Sequence, residues 1–216
     1  FYYGCLKFYT WKWLDLAAFC RLRLPNSQIS KIKYFTARIQ PRTDPRQATR
    51  QQAYLRAIAT LPEVEIYFGH FLASPKTLPL AKSVPGHPGF VCGPVKYAEV
   101  MNTEEKGSDV NLATHLVMDG FQNSYDMAIV ISNDSDLAYP ISVVRRTLKR
   151  QIGVITPLLT PDTRPVPANF RPRVASRELS RAASFFWTVD PAHLAEAQFP
   201  TTLRDVTGII RKPAEW

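Results

Sequence analysis

Residues 126–136, DMAIVISNDSD, constrain the fold of this chain more than any other stretch. Met127 to Ile131 form an apolar run with the length and β-branched content of a buried parallel strand. The run passes directly into Ser132, Asn133, Asp134, Ser135 and Asp136. Ligands of open α/β sheets bind just outside the carboxyl ends of such strands, so Asp134 and Asp136 stand where a ligand would be held. Two carboxylates that close repel, which raises a pKa unless a cation neutralises them. Oxygen-only ligands of this kind suit a hard cation such as Mg²⁺ or Mn²⁺. The competing explanation is a solvated Asx-rich turn that only closes the strand.

A second acidic segment, EEKGSDVNLATHLVMD, occupies residues 104–119. Gly107 and Ser108 interrupt whatever precedes them, and Ser108 is a good helix N-cap. Val110, Ala113, Val117 and Phe121 then recur at helical spacing. Asp109 falls in the first turn, where the helix dipole favours a carboxylate. The helix leads through Tyr125 into the acidic strand, and its start reaches that sheet edge only if the strand order permits. His115 lies six residues beyond Asp109 and so points elsewhere around the helix. Asp119 sits near the helix C-terminus, where the dipole disfavours it, and is left outside the site.

Strands and helices alternate along the rest of the chain. Trp13 to Leu24 reads as a helix ended by Pro25-Asn26, and Lys31 to Ile39 as a strand. Thr43, or Asp44 with Pro45 at the first helical position, opens a helix running to about Thr60. Arg42, Arg46 and Arg50, four apart, line one face of its start. Glu63 to Leu72 alternates as a strand, and Tyr97 to Met101 reads as a short edge strand. Tyr139 to Arg150 reads as a helix, Gln151 to Thr156 as the last buried strand, and Glu178 to Phe186 as a short helix. Two proline-rich stretches, 73–94 and 157–173, are expected to be loop insertions. The alternation predicts an α/β fold with a mostly parallel sheet and helices on both faces, in a single domain spanning 1–216.

Composition bounds the functions. A hydrophobic fraction of 45% and a charged fraction of 21% are those of a soluble globular protein, and 216 residues suffice for one sizeable core. No uncharged apolar run reaches the length of a membrane span. Three cysteines without CxxC spacing argue against a disulfide framework and for a reducing, cytoplasmic setting. The spacing of His70, His87 and Cys92 fits no zinc pattern. The net charge is +9, but residues 141–181 hold nine Lys or Arg against Asp162 and Glu178 alone. Such a localised basic region is the footprint expected for a phosphate backbone, with Arg145, Arg146, Lys149 and Arg150 at its start. The alternative is a solvated helix face followed by a loop.

Residues 104–141, EEKGSDVNLATHLVMDGFQNSYDMAIVISNDSDLAYPI, resemble the NYN domain, in the LabA-like branch of the PIN-like nucleases. The opening FYYGCLKFYTWKWLDL is similar to the same family, as is the ending from Gly208 through Arg211 and Lys212 to Trp216. The resemblance implies a Rossmann-like three-layer αβα sandwich and Mg²⁺- or Mn²⁺-dependent cleavage of RNA. It carries the family's acidic cluster over to Asp109, Asp134 and Asp136, with Glu105, Lys106, Ser132 and Asn133 as supporting groups. In the family, the YYG segment follows a first strand ending in an Asp-Gly-x-Asn type motif. The present chain opens inside that motif at Phe1, so the first strand and its metal-binding Asp are expected upstream, or the chain is a degenerate member. The main alternative to a ribonuclease is a catalytically inactive RNA-binding or assembly module, possible as a homo-oligomer. A haloacid-dehalogenase-type phosphatase ranks below both, because its nucleophilic Asp belongs on a first strand and this DxD follows a late one.

Overall fold

A computed structural model describes residues 1–7, 9–39, 44–79, 97–159 and 174–216. After a single wide turn over Tyr2–Leu6, the first regular helix is α1 (Leu16–Arg23), with Asp15 accepting from the Ala18 N–H at 2.9 Å as its cap. Strand β1 (Ile32–Ala37) leads into α2 (Arg46–Ile58), whose start is fixed by Asp44, which accepts the Arg46 N–H at 3.0 Å. Strand β2 (Val64–Pro79) pairs parallel to β1 from Val64 to Gly69. From His70 onward it pairs instead with β3 (Tyr97–Lys106), antiparallel. The stretch 73–79, expected to be irregular, therefore continues the strand: its side chains alternate along a two-stranded ribbon, and its prolines Pro75 and Pro79 lie on that ribbon. The rest of the 73–94 insertion, most of 157–173, Arg42 and Thr43 lie outside the described residues.

Helix α3 (Ser108–Phe121) starts immediately after β3. It is followed by β4 (Met127–Ile131), a short turn of helix over Ser135–Leu137, α4 (Ala138–Ser142) and a wider turn over Val143–Thr147. Strand β5 (Gln151–Thr156) comes next, then α5 (Arg177–Ala182), β6 (Phe185–Thr188), α6 (Pro191–Glu196) and a hairpin of β7 (Thr202–Asp205) with β8 (Gly208–Arg211). Strands β4, β5 and β6 form a wholly parallel sheet in that order. The architecture is mixed α/β, and its sheets are only partly parallel, because the β2–β3 ribbon and the terminal hairpin are antiparallel. The helix expected over Glu178–Phe186 breaks at Ala183, and Phe185–Thr188 joins the sheet.

Strand β5 has neighbours on both edges and is buried from Ile152 onward. Gly153 allows this packing: a Cβ there would run into the Phe185 ring of β6. Two apolar clusters flank the sheets. One gathers Trp13, Leu14, Phe19, Tyr54, Ile58, Leu194, Phe199 and Ile210, drawing the chain's two ends together. The other gathers Val130, Leu137, Ile141, Val144, Ile152, Val154 and Leu179 with Leu116 of α3.

The buried face of α3 differs from the one its periodicity suggested. Leu116 and Gly120 are buried, with Leu112, Ala113 and Val117 packed beside them, while Val110 and Phe121 are 68% and 64% exposed. Gly120 lies where a Cβ would sit 2.8 Å from both Leu148 Cδ1 and the Tyr125 hydroxyl, so the helix turns that edge inward. Helix α3 thereby joins both halves of the molecule. Leu116 packs on β4 and β5, while Asp119 accepts from Lys33 of β1 at 2.6 Å and His115 Nδ1 lies 3.2 Å from the same ammonium.

Candidate functional site

The acidic turn after β4 is built by its own side chains. Ser132 Oγ accepts the Asp134 N–H at 3.1 Å, and Asp134 Oδ1 accepts the Asp136 N–H at 3.1 Å. Asp134 thus caps the helical turn that follows and keeps its second oxygen for other partners. Asn133 turns inward. Its Oδ1 accepts from the Thr156 hydroxyl and the Ser176 N–H, both at 2.9 Å, and its Nδ2 donates to the Val174 carbonyl at 3.0 Å. Thr156 is fully buried at the end of β5, so Asn133 ties the acidic turn to the neighbouring strand end. Asp134 and Asp136 are exposed beyond it.

Asp109 approaches from the other half, near enough to feel the charges of Asp134 and Asp136. The chain leaves β3 at Lys106, passes Gly107 in a left-handed conformation (φ 93°), and starts α3. Gly107 is the residue preceding the first turn, and the Ser108 hydroxyl donates to Glu105 in place of capping the helix. This turn presses on Gly69, where a Cβ would come within 2.5 Å of the Lys106 carbonyl oxygen. Gly69 pairs with Ala37, the last residue of β1, so the start of α3 lies at the carboxyl end of β1. The Asp109 carboxyl is held above its ordinary range, first by partial shielding from water, then by the charges of Asp134, Glu105 and Asp136. Asp109, Asp134 and Asp136 therefore share one electrostatic environment although they come from different elements. The residue as a whole remains exposed, so the shielding concerns the carboxyl group and its acidic neighbours.

The donor set is all oxygen, carries uncompensated negative charge and suits a hard cation. Among the described residues, however, no three His, Cys, Asp or Glu side chains close around a point where a metal ion would sit. Of the supporting groups, Glu105 engages Ser108, and Lys106 pairs with Glu104 at 2.6 Å. Lys106 and Lys76 together hold Glu104 down at about 2.

The basic candidates separate into two places. Arg46 and Arg50 line a groove with Arg211 and Lys212, two cations whose part in it the sequence pattern did not signal. Arg145, Arg146, Lys149 and Arg150 follow α4 towards the amino end of β5, at the opposite end of β4 and β5 from Asp134. Arg145 donates to the carbonyls of Arg181, Ala182 and Ala183 at 3.2, 3.3 and 2.7 Å, which caps the end of α5. Arg150 donates to Asn123, while Arg146 and Lys149 are exposed.

Residues 82–188 match the NYN domain family. This stretch is similar to an NYN domain, consistent with an NYN-domain family member. Domains of this family are nuclease-like and RNA-related and typically use divalent metals. The matched stretch contains Asp109, Asp134 and Asp136. The chain is also 27% identical, over its whole length and 72% of the relative, to 6-hydroxy-3-succinoylpyridine 3-monooxygenase HspA of Pseudomonas putida. A solved structure of a protein of unknown function from Vibrio parahaemolyticus shares 16% identity over 82% of this chain and 80% of its own, with a TM-score of 0.44, too low to argue fold from. No helix among the described residues is long and apolar enough to cross a membrane.

Proposed function

We propose that this NYN domain is a metal-dependent ribonuclease of PIN-like, three-layer αβα arrangement. What supports the reading is that the charges of Asp134 and Asp136, from the end of β4, act on the carboxyl of Asp109, from the first turn of α3, inside the stretch that matches the family. In this reading the three carboxylates hold Mg²⁺ or Mn²⁺. A cation bound there supplies Lewis acidity at the phosphate and lowers the pKa of water. The chain's own residues do the rest. Ser132 and the Asp134 cap fix the turn, Asn133 anchors it to β5, and Glu105 restrains Ser108 at the start of α3. Arg46 and Arg50, and on the far side Arg146 and Lys149, position the RNA backbone through its phosphates.

Cleavage of single-stranded RNA by the intact protein, with Mg²⁺ or Mn²⁺ and with chelator, tests this. Metal-assisted stabilisation is worth several kcal/mol, so Asp134→Asn is expected to slow cleavage by about a hundredfold or more. The same change leaves RNA binding intact or improves it, since it removes a negative charge beside phosphate. Undiminished cleavage by Asp134→Asn would end the catalytic reading and favour a binding module. The match of this whole chain to 72% of a monooxygenase supports a second reading, oxygen-dependent hydroxylation of a small aromatic acid. Reductant-dependent oxygen uptake with such an acid, and no metal-dependent RNA cleavage, would select it.

A further inference from the structure

The groove outside the carboxylate cluster is built by two segments distant in sequence. Arg46, Thr49 and Arg50 come from the first turns of α2, and Arg211, Lys212 and Glu215 from the tail after β8. Its volume is about 420 Å³, within the range of small-ligand sites. We infer that this groove is a phosphate-binding track that leads single-stranded RNA to the carboxylates. The inference rests on the ribonuclease reading and deepens it, joining Arg211 and Lys212 of the chain's tail to the Arg46 and Arg50 that reading already uses.

The state of the cations carries the argument. Elsewhere Lys31, Lys33, Arg56, Lys76 and Lys106 are each satisfied by a carboxylate. In the groove only Arg50 is, shared between Asp44 and Glu215. Arg46, Arg211 and Lys212 form no ion pair among the described residues, although Arg46 lies within electrostatic reach of Asp44. Lys12, near Arg50 and Glu215 though not in the groove's lining, adds a fifth cation beside it. Partial burial and then the nearby Arg50 guanidinium hold its ammonium below the usual lysine range, with Glu215 opposing. Unpaired cations crowded into a concavity repel one another, and an anion relieves that repulsion. The groove also opens at the start of a 13-residue helix, whose dipole favours negative charge.

Position selects RNA as the occupant. Helix α2 follows the carboxyl end of β1, the end where α3 begins with Asp109. A concave surface can wrap one flexible strand, whereas the convex backbone of a duplex would meet only its rim. The shared carboxylates of Arg50 make the track exchangeable: a phosphate competes with Asp44 and Glu215.

The test measures binding of a labelled single-stranded RNA to the intact protein in chelator, across a salt series, for wild type and for Arg46→Ala/Arg211→Ala/Lys212→Ala. The expected result is an affinity loss of tenfold or more at low salt and a slope of log affinity against log salt shallower by about one to two units. Arg46→Lys/Arg211→Lys is expected to keep most of the affinity, which separates charge from folding. Inorganic phosphate should compete better than succinate. Wild-type affinity and slope in the triple alanine variant would overturn the inference, even if Asp134→Asn still abolishes cleavage. Loss of affinity in the alanine variant with Asp134→Asn cutting normally would keep the track and remove the ribonuclease reading. Stronger competition by succinate would overturn it in favour of a small organic acid.

Discussion

The parallel sheet β4–β5–β6 and the mixed sheet β1–β2–β3 hold opposite shares of the site and are stabilised differently. In the first, Ile152, Val154 and Ile155 are at most 1% exposed, and both side-chain polar atoms of Asn133 are bonded, to the end of β5 and to the Val174–Ser176 segment. In the second, strands β1 and β2 are half-buried, and the ribbon beyond His70 exposes Leu72, Leu78 and Met101 by 52%, 42% and 60%. Asp134 and Asp136 stand on the well-packed half. Asp109 stands on the other, where β3 turns into α3. The comparison teaches that one part of the acidic cluster is positioned by core packing and the other by a helix held through a polar seam. In that seam Lys33 joins Asp119 and His115, and the Phe35 and Tyr67 rings stack at 5.2 Å with His115 4.2 Å from the Tyr67 ring.

The largest effect expected from this contrast comes from Gly153→Ala. The added methyl has no space against Phe185, and overpacking of this kind costs about 1–3 kcal/mol or more. Denaturant unfolding should show a lowered midpoint; an unchanged midpoint would mean that the parallel sheet is looser than its burial indicates.

Lys33→Met breaks a half-buried charged hydrogen bond and leaves Asp119 unpaired, at a cost of about 1–2 kcal/mol. Under the ribonuclease reading α3 carries the metal-binding Asp109, so cleavage should fall by more than the stability loss alone produces at a temperature where the variant is fully folded. Lys33→Arg should restore both. A stability loss with unaltered cleavage would show that the seam does not position Asp109.

Asp109→Asn tests the crowding of charge. A carboxyl whose folded pKa is raised makes folding most favourable when protonated, and that advantage is lost as pH rises through the folded pKa. At neutral pH the wild-type carboxylate therefore works against folding, and Asp109→Asn should raise the melting temperature there. The gain should vanish on acidification below the ordinary carboxylate range. Equal gains at both pH values would remove electrostatics as the cause.

The smallest effect belongs to the distal ribbon. Met101→Lys on its exposed face should change stability by less than about 0.5 kcal/mol. A larger loss would show that this half is more tightly packed than its exposure suggests.

Local patterns in the sequence determined much of this protein. An apolar β-branched run must be buried, so Met127–Ile131 and Gln151–Thr156 were legible as strands, and a carboxylate after Gly-Ser was legible as the first turn of a helix. The NYN motif was legible because it lies in one contiguous stretch. Features that depend on distant partners were decided by the tertiary structure. The exposed continuation of β2 through Pro75 has little apolar alternation, and only pairing with β3 makes it a strand. The inward turn of α3 towards Gly120 depends on Leu148 and Tyr125. Asp119, disfavoured by the helix dipole, is compensated by Lys33 from a strand 86 residues earlier. The basic groove joins Arg46 to Arg211, far apart along the chain, because apolar packing closes the chain's two ends on one core. Charge adjacent to the acidic strand in sequence ends at the other end of the parallel strands, because a crossover between parallel strands must carry the chain back to where the next strand begins.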